Sequence, residues 1–147
     1  MNVDVEILNE VTSEVVAAFG RLLPQLSSSA AQLDEAALTA LVATPASTVL
    51  VARLDQQIVG TLTLATFPIP TGRRAWIEDV VVDEAARGQR VASKLIDEAI
   101  RLAKEYGAKT VDLTSRPSRV TAGELYERMG FAQRETRLYR YQLSEPS

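Results

Sequence analysis

Apolar and acidic side chains alternate near the start of the chain, with Val3, Val5 and Ile7 set against Asp4 and Glu6, the period-two pattern of a half-buried strand. Thr12 then stands as the cap of a helix whose apolar stripe is Val15, Val16, Phe19, Leu22, Leu23 and Leu26, ending near Ser27-Ser28-Ser29. A shorter helix is predicted from Asp34, with Ala37, Leu38, Leu41 and Val42 on one side and Thr44-Pro45 as its stop. Residues Thr48 to Leu54 and Ile58 to Phe67, rich in Val, Leu, Ile and Thr, read as a hairpin around Asp55-Gln56-Gln57. Pro68 and Pro70 interrupt that pattern. The third strand of this run is Ala75 to Val82; simple alternation puts Ile77, Asp79 and Val81 on one face and Trp76, Glu78, Val80 and Val82 on the other.

Beyond a short loop, Val91, Ala92, Leu95, Ile96, Ala99, Leu102, Ala103 and Tyr106 recur at helical spacing, and Gly107 supplies the stop. Lys109 to Thr114 reads as another strand, followed by a polar loop. Thr121 and Glu124 stand at capping-box spacing before Leu125, Tyr126 and Met129, with Gly130 at the C-terminal end. A last strand, Ala132 to Leu143, completes the pattern. This order predicts an α/β (α+β) fold with one mixed central sheet, as a single domain over residues 1–143 and a frayed tail at 144–147.

At 147 residues and 46% hydrophobic, the chain has enough apolar material for one core and too little for two domains. The absence of Cys rules out disulfides and thiolate chemistry, and the absence of His removes the commonest general base and metal ligand. Any catalysis therefore falls to carboxylates, tyrosine, lysine, backbone groups or a cofactor, and no metal is called for. A formal charge of -3 argues against a nucleic-acid surface. No apolar run is long enough for a membrane span, and the first residues lack the pattern of a signal peptide, so a cytoplasmic location is expected.

Chemistry concentrates in the segment from Val80 to Ser93, which joins a strand to the strongest helix through Arg87-Gly88-Gln89-Arg90-Val91-Ala92. A helix start leaves about four N–H groups unpaired and carries partial positive charge, so it welcomes an anion. No side chain here is an obvious cap. Gly88 permits a tight turn and close approach to the backbone, while Arg87, Arg90, Ser93 and Lys94 add donors. The plainer alternative is a chain reversal flanked by solvated charge. Neither a P-loop nor a three-glycine dinucleotide fingerprint is present.

These residues resemble the GNAT superfamily of acyl-coenzyme A N-acyltransferases. Its signature Arg/Gln-x-x-Gly-x-Gly/Ala is met by Arg87 in the first place and Ala92 in the last, with Arg90 where glycine is usual. A second similarity is Leu125-Tyr126-Glu127-Arg128-Met129-Gly130-Phe131, akin to the family's Leu-Tyr-x-x-x-Gly-Phe.

The resemblance implies a largely antiparallel sheet flanked by about four helices, whose central strands, Ala75 to Val82 and Lys109 to Thr114, splay apart. It implies an acetyl-coenzyme A cosubstrate. Its arm would pair with Val80, Val81 and Val82, and its pyrophosphate would rest on Arg87, Gly88, Gln89, Arg90, Val91, Ala92 and Ser93. Gly123 would lie beside the arm, or is simply tolerated in a first turn. Tyr126 would be the general acid toward the thiolate, the alternative being an ordinary core aromatic. Glu78 or Asp79 would be the base, acting directly or through water, and the other would bond to nearby loops. The implied activity is transfer of an acetyl group to a primary amine of a small molecule or protein, by direct attack in a ternary complex. A coenzyme A-binding regulatory module without turnover is the alternative. The long last strand also makes a homodimer an expectation.

Overall fold

The computed structural model describes residues 2–28 and 32–144. Two compact units divide it, with the boundary between Leu113 and Thr114. The Ser29 end of the predicted serine stop, and all but the first residue of the predicted tail, lie outside the described residues.

In the first unit the elements are β1 (Val3–Ile7), α1 (Ser13–Leu26), α2 (Glu35–Val42), β2 (Ser47–Leu54), β3 (Gln57–Ile69), β4 (Gly72–Val82), α3 (Val91–Glu105) and β5 (Val111–Asp112). The predicted Thr12 cap forms, with the Val15 N–H donating to Thr12 Oγ1 at 3.3 Å, and Asp34 caps α2, its Oδ1 accepting the Ala37 N–H at 2.8 Å. The β2–β3 turn has Asp55 at φ 51° and Gln56 at φ 71°, the paired left-handed residues of a tight hairpin. β3 runs through Pro68, beyond the predicted end. Its partner there, Arg73, gives its carbonyl to the Lys109 N–H, so the ladder makes no use of a donor at position 68.

The five strands lie in the order β1-β2-β3-β4-β5, antiparallel up to β4 and parallel between β4 and β5. This is the expected mixed, largely antiparallel sheet. Val49, Val51 and Val81 pack with Val15, Phe19, Leu22 and Leu38, so α1 and α2 cover one face. α3 covers the other: a Cβ built on Gly60, the register partner of Val82, would meet Val91 Cγ1 at 3.0 Å and Leu95 Cδ1 at 3.2 Å. The helix ends at Gly107, φ 80°, where the Ala108 N–H returns to the Ala103 carbonyl at 2.9 Å.

Two features of the sheet depart from simple alternation. Thr61 faces Val81 and Thr63 faces Glu78, so Leu62 stands opposite both Asp79 and Val80 in a bulge, with Asp79 at φ 50°. The strand β5 is also far shorter than the predicted Lys109 to Thr114, pairing only Ala75 with Val111 and Trp76 with Asp112. Beyond that point β4 has no paired neighbour on its β5 side among the described residues, and the expected splay is this divergence.

The second unit holds α4 (Val120–Arg128). The capping box predicted at Thr121 and Glu124 is absent: the helix begins two residues earlier, its cap position is Arg119, and no side chain caps it. Its far end follows the prediction, with Gly130 at φ 102° and the Phe131 N–H returning to the Tyr126 carbonyl at 3.0 Å. The predicted strand from Ala132 to Leu143 is not formed. Leu138, Tyr139, Tyr141 and Leu143 are exposed there, so an alternating pattern has no sheet partner to order it.

Candidate active site

The start of α3 is built by the backbone on both sides of it. Gly88 turns the chain at φ 83° and Arg90 takes the left-handed conformation, φ 64° and ψ 21°, just before the helix. With no side-chain cap, the N–H groups of Arg90, Val91, Ala92 and Ser93 donate to no acceptor among the described residues. A Cβ added at Gly88 would meet nothing within 4 Å, so the glycine is required by its dihedral angle and leaves open space above the loop. Ser93 does not turn its hydroxyl outward as a donor. That hydroxyl donates to the Arg90 carbonyl at 3.0 Å, which leaves the Ser93 backbone N–H as its contribution. Arg87 donates its N–H to the Glu84 carbonyl at 3.3 Å, and its side chain makes only a 4.0 Å approach to the Glu84 carboxylate among the described residues.

The bulge in β4 decides where its side chains go. Register places Ile77 opposite Leu64 on the α3 face, and Val81 opposite Thr61 on the α1 face. The alternation expected from sequence put them on one face; a left-handed Asp79 adds a residue and switches the strand over. Glu78, aligned with Thr63 and Val49, belongs to the α1 and α2 face, and both Glu78 and Asp79 are exposed. Val80 and Val82 are half-buried on the stretch of β4 that β5 leaves unpaired. At the foot of the divergence Arg74 donates to Asp112 Oδ2 at 2.8 Å, a cross-strand pair not foreseen from sequence.

Gly123 and Tyr126 lie on α4, in the second unit. A Cβ on Gly123 would have open space. The Tyr126 ring is half-buried and meets Phe131 edge to face, with centroids 6.0 Å apart. Burial pushes its phenol above the usual value, and the charge of Arg119 opposes that shift.

An open hollow of about 330 Å³ is lined by Pro45, Thr66, Arg73 and Tyr106. It contains none of the residues expected to hold the cofactor or to act as acid or base, and belongs to the opposite end of β4.

Comparison with known proteins gives this arrangement its family. The model of the acetyltransferase (GNAT) family matches residues 11–131. The chain belongs to the GNAT family. The matched span includes both signature segments, from Arg87 to Ala92 and from Leu125 to Phe131.

N-alpha-acetyltransferase 30 of Schizosaccharomyces pombe is 35% identical to this GNAT chain over 74 residues, 50% of the chain and 49% of that protein. N-alpha-acetyltransferase MAK3 of Arabidopsis thaliana is 39% identical over 71 residues, 48% of the chain and 37% of that protein. The matched segments thus span about half or less of these relatives. A solved aminoglycoside acetyltransferase from an uncultured soil metagenomic sample shares the fold, with a TM-score of 0.84 over 97% of each chain at 22% identity. No helix among the described residues is long and apolar enough to cross a membrane.

Proposed function

We propose that this acetyltransferase moves an acetyl group from acetyl-coenzyme A to a primary amine by direct attack within a ternary complex. The observation that carries the reading is the uncapped start of α3, where a run of backbone donors is left open beside two arginines. A diphosphate satisfies such donors and the positive end of the helix together. The reactive group supplied by the bound cosubstrate is a thioester.

In this reading Arg87, Gly88, Gln89, Arg90, Val91, Ala92 and Ser93 hold the diphosphate. The free edge of β4 at Val80, Val81 and Val82 pairs with the pantetheine amides as an added strand would. A backbone N–H near Val80 orients and polarises the acyl carbonyl. Glu78 or Asp79 removes the proton of the acceptor ammonium through water, and Tyr126 supplies a proton to the leaving thiolate. Gly123 lies near the cofactor arm, and residues 1–143 work as one catalytic domain.

For the acceptor, the two N-alpha-acetyltransferase relatives favour the α-amino group of a protein over a small-molecule amine. The chain contains no cysteine, so thiol release can be followed without background. Incubation with acetyl-coenzyme A and a panel of N-terminal peptides, lysine peptides and small amines tests the reading. Thiol release with one acceptor class supports it. Binding without release across the panel transfers support to a regulatory module.

We also propose self-association through the exposed segment from Leu138 to Leu143, whose alternating side chains suit addition to a sheet edge of a second copy. Sedimentation of the full chain and of a Tyr139→Lys, Tyr141→Lys variant tests this: a dimer converted to a monomer is expected, and a monomeric parent chain contradicts it.

A further inference from the structure

Helix α1 is tied to the loop before α3 by a specific set of bonds. Arg21 donates through Nε to Asp83 Oδ2 at 3.3 Å and through Nη2 to the Ile58 carbonyl at 2.7 Å. Four residues on, Gln25 accepts the Glu84 N–H at 2.9 Å and donates its amide to the Arg21 carbonyl at 3.2 Å. The other oxygen of Asp83 accepts the Ala85 N–H at 3.1 Å, while the Asp83 N–H donates to the Val59 carbonyl at 2.8 Å. The residue at which β4 becomes loop is therefore held by β3, by α1 and by the loop itself.

Glu84 to Ala86 form a short turn, with the Ala86 and Arg87 N–H groups returning to the Asp83 and Glu84 carbonyls at 2.9 and 3.3 Å and Ala86 buried; the stretch after that turn has little else to hold it. Arg90 to Ser93 give their N–H groups to nothing in the described protein, and Gly88 and Arg90 both sit at positive φ. Its placement depends on its two ends: the start of α3, packed on Gly60, and the anchor at Asp83 and Glu84. Resting on the phosphate-site reading above, we propose that Arg21 is a positioning residue for cofactor binding, fixing the Arg87–Ser93 cradle through Asp83. A cradle ordered beforehand loses less entropy when its ligand arrives, so loosening the anchor lowers affinity without removing any ligand contact. The Asp83 carboxyl is held below its usual range, first by the Ala85 N–H, with Arg21 and Gln25 adding to the effect. It is thus ionised, and able to pair with Arg21, throughout the neutral range.

Titration calorimetry with coenzyme A on the full chain, Arg21→Ala, Asp83→Asn and the double variant tests the inference. Arg21→Ala is expected to raise Kd roughly three- to five-fold, the scale of a part-exposed ion pair. In the Asp83→Asn background the same change should alter Kd by less than about 1.5-fold, because its route is already cut. Should Arg21→Ala fail to fold, Arg21→Gln, which keeps a donor for the Ile58 carbonyl, carries the same expectations. An unchanged Kd overturns the inference. So does an equal weakening in both backgrounds, since Arg21 would then act by its own charge. Failure of the parent chain to bind coenzyme A defeats the underlying reading instead, and the parent titration alone identifies that case.

Discussion

At position 126 burial keeps a phenol protonated well past neutrality, which is the state a general acid needs. Tyr126→Phe is expected to lower turnover roughly 100-fold in a thiol-release assay while leaving the Kd for coenzyme A within about two-fold. Turnover equal to the parent's removes Tyr126 from the mechanism. Because the shift is upward, loss of the acid form should appear only above about pH 10. A rate that falls through pH 8 at saturating substrate contradicts the assignment. Tyr126 was legible as a candidate from its setting in Leu125-Tyr126-Glu127-Arg128-Met129-Gly130-Phe131, because a sequence pattern preserves identity and spacing. The orientation of Glu78 and Asp79 was not legible in the same way. An aspartate at φ 50° looks like any other strand aspartate until its neighbours are seen, and this residue reversed the predicted faces. Gly88 stands between these cases: a turn was readable, while its left-handed angle and the open space above it came from the structure. Gly88→Val is expected to strain the loop by about 1–2 kcal/mol and weaken coenzyme A binding roughly ten-fold or more. Calorimetry showing unaltered affinity places the phosphates elsewhere.

Among the elements, helices were read best, since a 3.6-residue stripe and a glycine stop are local signals: α3 and the Gly107 reversal appear where expected. Strand extent was read worse. β5 and the segment from Ala132 depend on partners distant in sequence, and composition cannot report whether a partner is present. Gly60 escaped notice for a related reason, as a glycine within a strand pattern shows its role only when α3 is found packed against it. A Cβ there meets the ends of Val91 and Leu95 and comes within 3.3 Å of the Val81 carbonyl, so Gly60→Val should destabilise the chain by about 1–3 kcal/mol. Urea unfolding checks this, and an unchanged midpoint means that α3 lies farther from the sheet. The junction at Asp83 predicts a pH dependence. Its folded pKa lies below the unfolded value, so its stabilisation is present above about pH 4 and is lost as pH falls through the folded pKa. Asp83→Asn should therefore cost about 1 kcal/mol at pH 7, discounted for the half-exposed Arg21, and almost nothing near pH 2. An equal deficit at both values would assign the loss to packing.

At the scale of the molecule, the sheet, two helical layers and loop of the first unit form a scaffold that leaves backbone donors open at the start of α3. That suits a chain without His or Cys, because ligand binding can rest on amides and a helix end, with few special side chains. The family match spans residues 11–131, and the open donors at the start of α3 are the feature on which the proposed cofactor site rests. The most direct test is a backbone amide NMR titration of the ¹⁵N-labelled chain with coenzyme A. The account predicts that the resonances of Arg90, Val91, Ala92 and Ser93 move together and saturate with the same Kd that calorimetry gives. Saturable binding that leaves those four amides in place, or no binding at all, contradicts it.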